Sequence, residues 1–303
     1  MLGVFPSGGQ SSMAGAVQSA QRYRRDGLAL LNCAPYHPAM RRFFRFPAVT
    51  LAALLACACS AQTTPTYPAH MTGEFAHDTS AFTQGLLYYD DALFESTGKY
   101  GQSRLRRVAP ANHTVTREIQ LPEDYFGEGL ARVDDQLFWL TWHAGRAFVF
   151  DIHSFEQVGT RRYEGEGWGL TYDGRHLIMS DGSATLRVLD PGDFSVVRRI
   201  DVHDGGQAID KLNELEYIDG EIWANIWYSD RIARIDPDTG AIVAWLDAST
   251  LRTALGDAAS GANVLNGIAW DPDQGRIYLT GKYWPKTFTV APPRGIAPAP
   301  DRP

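Results

Sequence analysis

Polar side chains that could handle protons or a polarised carbonyl group open several short, similar phrases of this sequence. Glu128 stands between two glycines, and Gln84 and Asn213 occupy comparable places in two other phrases. A carboxylate can take up and return a proton, and amide groups can donate hydrogen bonds to an oxygen that gains negative charge. The three phrases are Phe82-Thr-Gln-Gly-Leu, Gly127-Glu-Gly-Leu and Leu212-Asn-Glu-Leu.

Other common chemistries lack their residues here. Cysteine does not occur after Cys59, which excludes a cysteine nucleophile, cysteine-ligated zinc and disulfides from the rest of the chain. No Gly-x-Ser-x-Gly phrase supports a serine hydrolase. Six histidines fall in different turns without the spacing of a metal site, namely His77, His113, His143, His153, His176 and His203.

The candidate residues belong to a repeat that recurs five times. Each copy has a small or acidic residue, Gly or Glu, Leu, an alternating strand, a turn and a second apolar strand. The equivalent positions Gly85, Gly129, Gly169, Leu215 and Gly267 are about 44, 40, 46 and 52 residues apart. This period is typical of a four-stranded propeller blade. The sequence therefore predicts an all-β fold, a five-bladed β-propeller with four antiparallel strands per blade.

The repeats also predict where the candidate residues meet. The first strand of each blade lies innermost, so the residues that open the repeats converge on one end of the central channel. Residues after the hairpins can line the rim of the same cavity, and we expect residues 73–76 to complete the last blade. The converging residues are Phe82, Gln84, Glu128, Trp168, Asn213 and Asn266, and the rim residues are Trp142, Trp227 and Lys282.

Six phrases, in order along the chain, resemble the glutaminyl cyclases (glutaminyl-peptide cyclotransferases) of the plant and bacterial β-propeller type. The phrases are Phe82-Thr-Gln-Gly-Leu, Glu95-Ser-Thr-Gly with Tyr100-Gly-Gln-Ser, Gly127-Glu-Gly-Leu, Glu166-Gly-Trp-Gly-Leu-Thr with Ser180-Asp-Gly-Ser, Leu212-Asn-Glu-Leu-Glu-Tyr with Ala224-Asn-Ile-Trp, and Leu265-Asn-Gly-Ile-Ala with Gly281-Lys-Tyr-Trp-Pro.

The resemblance implies an acyltransferase that closes N-terminal glutamine of peptides or proteins into pyroglutamate and releases ammonia, without a catalytic metal or cofactor. It places the family's catalytic glutamate on Glu128. Its pocket residues fall on Phe82, Gln84, Trp142, Trp168, Asn213, Trp227 and Lys282.

The residue types suit that reaction. The substrate's α-amine attacks its own carboxamide, so no enzyme nucleophile is needed, and Glu128 can act first as base and then as acid. Lys282, Gln84 and Asn213 can donate to the developing oxyanion or the substrate amide. The tryptophans can supply apolar walls and a cation–π surface, whereas Trp139, Trp223 and Trp270 are predicted to be core residues.

Two other functions fit a propeller channel. One is a non-catalytic peptide-binding propeller, and the other is a metal-dependent lactonase-type propeller, which would gather Glu, Asn and Asp ligands around an ion. Channel carboxylates could also hold a structural calcium ion, and the sequence leaves this open.

The sequence near the N-terminus predicts export. Residues 40–59 have a basic head, an apolar run and small residues, as a signal peptide does, which makes residues 1–39 an over-extended gene start. Leu54-Leu55-Ala56-Cys57 also fits a lipobox, so a periplasmic and a lipid-anchored protein both remain open. Residues 60–69 are predicted as a linker, 70–292 as the propeller and 293–303 as a Pro-rich flexible tail.

Charge bears on the partners. Removal of residues 1–56 would take away six arginines and one aspartate and change the net charge from −7 to about −12. Such an acidic domain is a poor binder of nucleic acid. We expect a monomer without a transmembrane span.

Overall fold

The computed structural model describes residues 63–112 and 114–293, in which strands predominate. The predictions for residues 1–39 and 40–59, for the start of the linker and for nearly all of the tail lie outside this range, as does His113. Two strands precede the first blade. They are β1 (Thr66–Pro68) and β2 (His70–Ala76).

The described residues form a five-bladed β-propeller, as predicted. Each blade is an antiparallel sheet of four strands. The first blade consists of β3 (Thr83–Tyr89), β4 (Ala92–Thr97), β5 (Arg104–Ala109) and β6 (Thr114–Gln120). The second consists of β7 (Gly127–Val133), β8 (Gln136–Thr141), β9 (Arg146–Asp151) and β10 (Gln157–Arg162). The third consists of β11 (Leu170–Tyr172), β12 (Leu177–Met179), β13 (Thr185–Leu189) and β14 (Val196–Asp201).

A short hairpin and a helical segment flank the fourth blade. The fifth blade has three consecutive strands and takes its fourth from β2. The hairpin is β15 (His203–Asp204) and β16 (Gln207–Ala208), and the helical segment is α1 (Ser249–Ala254) with a 3₁₀ turn (Gly256–Ala259). The fourth blade consists of β17 (Leu212–Ile218), β18 (Glu221–Ile226), β19 (Arg231–Ile235) and β20 (Ile242–Asp247). The three consecutive strands of the fifth blade are β21 (Leu265–Asp271), β22 (Arg276–Gly281) and β23 (Lys286–Ala291).

The ring closes through β2. Its residues 70–76 pair antiparallel with β23, so residues near both ends of the described chain share one blade. The predicted linker over residues 60–69 is shorter than expected, because residues 66–68 form a strand. This strand, β1, runs parallel to β20 at the edge of the fourth blade, and Ala69 N donates to Asp247 O at 2.8 Å.

Apolar side chains fill the five gaps between neighbouring blades. One cluster lies in each gap; the gap between the first two blades, for example, is filled around Phe94, Leu130 and Trp139. Trp139 and Trp223 are fully buried and Trp270 is 8% exposed, which confirms their prediction as core residues. The outer strand β6 is mostly exposed, so the hydrophobic stabilisation comes from contacts between blades.

Tight turns join the inner two strands of each blade. Each of these turns has a positive φ at an aspartate or a glycine. In the fifth blade the positive φ falls on Gly275 (58°), since Pro272 in the same turn has its φ fixed at a negative value by the proline ring. The other turns have positive φ at Asp90, Asp91, Asp134, Gly174, Asp219 and Gly220.

The inner strands β3, β7, β11, β17 and β21 contact one another around the channel. Glycines allow this close approach. A Cβ atom on Gly129 would lie 2.6 Å from Leu170 N, and one on Gly169 would lie 2.0 Å from Asn213 O. The repeated glycines of the sequence are therefore required by packing between blades.

Candidate active site

The predicted site residues open the inner strands where the regular ladder is interrupted. The pairing register shifts across Thr83/Gly85, Gly127/Leu130 and Leu212/Leu215. A bulge redirects the side chains that it contains, and these shifts include Gln84, Glu128 and Asn213. A fourth shift, Leu265/Ile268, includes Asn266.

The rim residues Trp142, Trp227 and Lys282 occupy equivalent backbone positions in three blades. Each follows the second strand of its blade and donates its backbone N–H to the segment that enters the first strand. Trp142 N donates to Phe126 O at 2.9 Å, and Lys282 N donates to Val264 O at 3.0 Å. Trp227 is held in the same way by Lys211 O, so three equivalent positions face one cavity.

All eight predicted catalytic and substrate-binding residues line this cavity, whose volume is about 330 Å³. That volume suits one small side chain with its amine. Four further lining residues were missed by sequence reasoning. The predicted residues are Phe82, Gln84, Glu128, Trp142, Trp168, Asn213, Trp227 and Lys282, and the additional ones are Lys99, Phe126, Tyr228 and Asn263.

Glu128 is a buried carboxyl group in the cavity wall. It is 4% exposed, and its Oε1 accepts a hydrogen bond of 2.9 Å from Gln84 Nε2. Burial raises the pKa of Glu128 well above its usual value, Lys282 opposes the rise and Glu166 adds to it. A carboxyl group with a raised pKa is a stronger base than an exposed one, and it can return the proton that it has accepted.

Lys282 is a buried ammonium group, 5% exposed, in the same cavity. Burial lowers the pKa of Lys282 to about 8; Glu128 acts against this shift and Lys99 adds to it. Its Nζ lies 4.5 Å from the centre of the Phe82 ring, in cation–π range. Lys282 is therefore a cationic donor that gives up its proton at a lower pH than an exposed lysine does.

Two amide side chains support the carboxylate. Gln84 donates to Glu128 and is itself contacted by Asn266, whose Nδ2 lies 2.9 Å from Thr83 O and 3.4 Å from Gln84 Oε1. Gln84 was predicted as a donor to the substrate. In the structure its amide nitrogen donates to Glu128 Oε1 and fixes the orientation of that carboxyl group.

Aromatic residues make up half of the twelve that line the cavity. Trp168 and Trp227 make an edge contact with ring centroids 5.3 Å apart, and Phe126 contacts Trp142 at 5.4 Å and Phe82 at 6.1 Å. Such rings offer apolar surface to a substrate's methylene groups and π-faces to its ammonium.

Glu214, a second buried carboxyl group from an inner strand, is used differently. Its two oxygens accept backbone N–H groups of Leu86 at 3.2 Å and Ile268 at 2.9 Å, on the inner strands of two other blades. It links strands and is not among the residues that line the cavity.

Within residues 63–112 and 114–293, no group of three or more His, Cys, Asp or Glu side chains is arranged to hold a metal ion. No helix in that part of the chain is long and apolar enough to cross a membrane.

Fold and cavity together define a β-propeller in which a buried carboxyl group, Glu128, and a buried ammonium group, Lys282, line one aromatic-rich pocket. The glutamine cyclotransferase family model matches residues 46–291, and the chain belongs to that family.

Two known proteins are similar over most of the chain. A glutaminyl-peptide cyclotransferase of Arabidopsis thaliana is 43% identical over 223 residues, which is 73% of this chain and 70% of the relative. The crystal structure of Myxococcus xanthus glutaminyl cyclase matches with a TM-score of 0.71 and 41% identity, over 75% of this chain and 97% of that one.

Proposed function

We propose that this protein converts the N-terminal glutamine of peptides or proteins into pyroglutamate with release of ammonia. Its membership of the family and the names of its relatives support this reaction. The observation that carries the proposal is the placement of Glu128, a buried carboxyl group with a raised pKa, in a small aromatic pocket beside Lys282.

The proposed steps need proton transfer and positioning only. Glu128 takes a proton from the substrate's α-amine as this attacks the side-chain carboxamide, which closes the five-membered ring. Lys282 and Asn213 donate to the oxyanion of the tetrahedral intermediate. Glu128 then returns the proton to the departing nitrogen, the C–N bond breaks, and ammonia leaves. No cofactor is required by this sequence of steps.

The proposed setting is outside the cytoplasm. The sequence of residues 40–59 supports export, and Cys57 leaves a lipid anchor as an alternative to a free periplasmic protein. Mass spectrometry of the N-terminus of the protein purified from its native host would distinguish these forms.

The reaction is tested by incubating the purified protein with a Gln-initiated dipeptide. We expect ammonia release and a mass loss of one ammonia molecule per peptide. An N-acetylated dipeptide of the same sequence is the matched control, since it lacks the nucleophile. A folded protein that bound the Gln peptide and left it unchanged would instead favour the peptide-binding alternative.

A further inference from the structure

Glu166 joins two walls of the pocket from outside the cavity. Its Oε2 accepts the indole N–H of Trp142 at 2.7 Å and that of Trp168 at 2.8 Å. These tryptophans follow β8 and precede β11, in different blades. One carboxylate oxygen therefore fixes the relative orientation of two rings that the fold brings in from separate sheets.

Further contacts hold this carboxylate and its partners. The His143 ring stacks on Trp142 with centroids 3.8 Å apart, and its Nδ1 lies 3.5 Å from Glu166 Oε1. The backbone carbonyl of Glu166 accepts a hydrogen bond of 2.5 Å from Arg187, which is largely buried. Glu166 is thus fixed by its main chain and acts through its side chain.

We propose that Glu166 is a positioning residue that sets the two indole walls before the substrate arrives. This rests on the proposed function of the pocket. Ordering a side chain on binding costs free energy, and a pocket whose rings are already in place avoids that cost. Glu166 does not line the cavity, so its effect on the substrate is exerted through Trp142 and Trp168.

The negative charge of Glu166 has a second effect, because it helps to raise the pKa of Glu128. The side chain is 39% exposed, so solvent screens its interaction with buried groups. The groups that share the electrostatic environment of Glu128 are Lys282, Glu166 and the Tyr163 hydroxyl. Positioning of the indoles, rather than charge, is therefore expected to be the main contribution.

Two substitutions separate the effects. Glu166→Ala removes the acceptor, and we expect KM to rise about tenfold, with kcat within about threefold of wild type. Glu166→Gln keeps a carbonyl oxygen that can accept both indole N–H groups, so its KM should stay near that of wild type. Glu164, exposed and two residues away, supplies the matched control Glu164→Ala, which should leave both constants unchanged.

A spectroscopic test does not depend on turnover. The chain has eight tryptophans, and ¹H–¹⁵N spectra resolve their indole N–H groups. Trp142→Phe and Trp168→Phe identify two of these signals. Glu166→Ala should move those two, while the signals of the five tryptophans outside the pocket stay in place.

The outcomes are distinguishable. A wild-type KM in Glu166→Ala, an equal KM rise in Glu166→Gln, or unmoved indole signals would each overturn the positioning role. Lack of turnover by the wild-type protein would instead refute the proposed function, while the indole signals would still report on the contact.

Discussion

Replacing Glu128 by Gln tests the proposed mechanism and the physical state of the carboxyl group together. The substitution keeps the size of the side chain and its ability to accept from Gln84, but removes its basicity. General acid/base catalysis contributes about 10²–10⁴-fold, so kcat should fall by about 10²-fold or more, which is ~2.7 kcal/mol of barrier or more. KM should change little, because the aromatic walls are intact.

The same variant should be more stable than wild type at neutral pH. The carboxyl pKa in the folded protein lies well above 4.5, its ordinary value. Wild type therefore loses stability as the pH rises from about 4.5 towards the folded pKa, and Gln has no such loss. Each unit of pKa is worth about 1.4 kcal/mol, and each kcal/mol about 2–4 °C in Tm for a domain of this size.

Steady-state kinetics and thermal melts of both proteins between pH 4 and pH 8 measure these effects. The Tm advantage of Glu128→Gln should be smallest at the acidic end and grow as the pH rises. Glu164→Gln, at an exposed position, is the control and should show neither effect. Near-normal kcat in a folded Glu128→Gln protein would refute the assignment, and a Tm difference independent of pH would refute the raised pKa.

Three other predictions concern the rest of the pocket. Trp168→Ala and Trp227→Ala should raise KM at least as much as they lower kcat, because these rings are proposed to position the substrate. Steady-state kinetics with a Gln dipeptide measure both constants, and a fall in kcat larger than the rise in KM would contradict the positioning role. Since the pKa of Lys282 is lowered to about 8, kcat/KM should fall as the pH rises through 8 and the donor loses its proton, and an activity that kept rising above that pH would contradict this role. Activity should survive EDTA, because Glu128 transfers the proton and Lys282 stabilises the oxyanion in the proposed steps. Complete loss of activity that zinc restores would overturn the mechanism. A lower Tm with unchanged activity would indicate a structural calcium ion.

The repeat made the fold predictable from sequence. Its five copies gave the number of blades, and its period gave the four strands of each blade. β1 was missed because three exposed residues, one of them Pro68, carry no strand pattern of their own and pair only when β20 is already formed. Its pairing depends on residues about 180 positions away, which no local pattern can show.

The site was predictable to the level of residue type and position. The openings of the repeats, together with the family phrases, pointed to eight residues, and the cavity contains all eight. Glu166 is the first residue of a recognised phrase, but its contacts depend on two indole N–H groups that meet only across two blades. Phe126 stands two residues before Glu128, just as Phe82 stands two residues before Gln84, so a comparison of the two phrases could have found it.

Burial alone does not distinguish the proposed catalytic carboxyl group from a structural one. Burial raises the pKa of both Glu128 and Glu214 well above the ordinary value. Each oxygen of Glu214 accepts a backbone N–H group from an inner strand of another blade, and the side chain does not line the cavity. Glu128 lines an open cavity and is held by the side chain of Gln84, which can adjust as charge moves. Access to the cavity, combined with a raised pKa, is what makes Glu128 the better proton carrier.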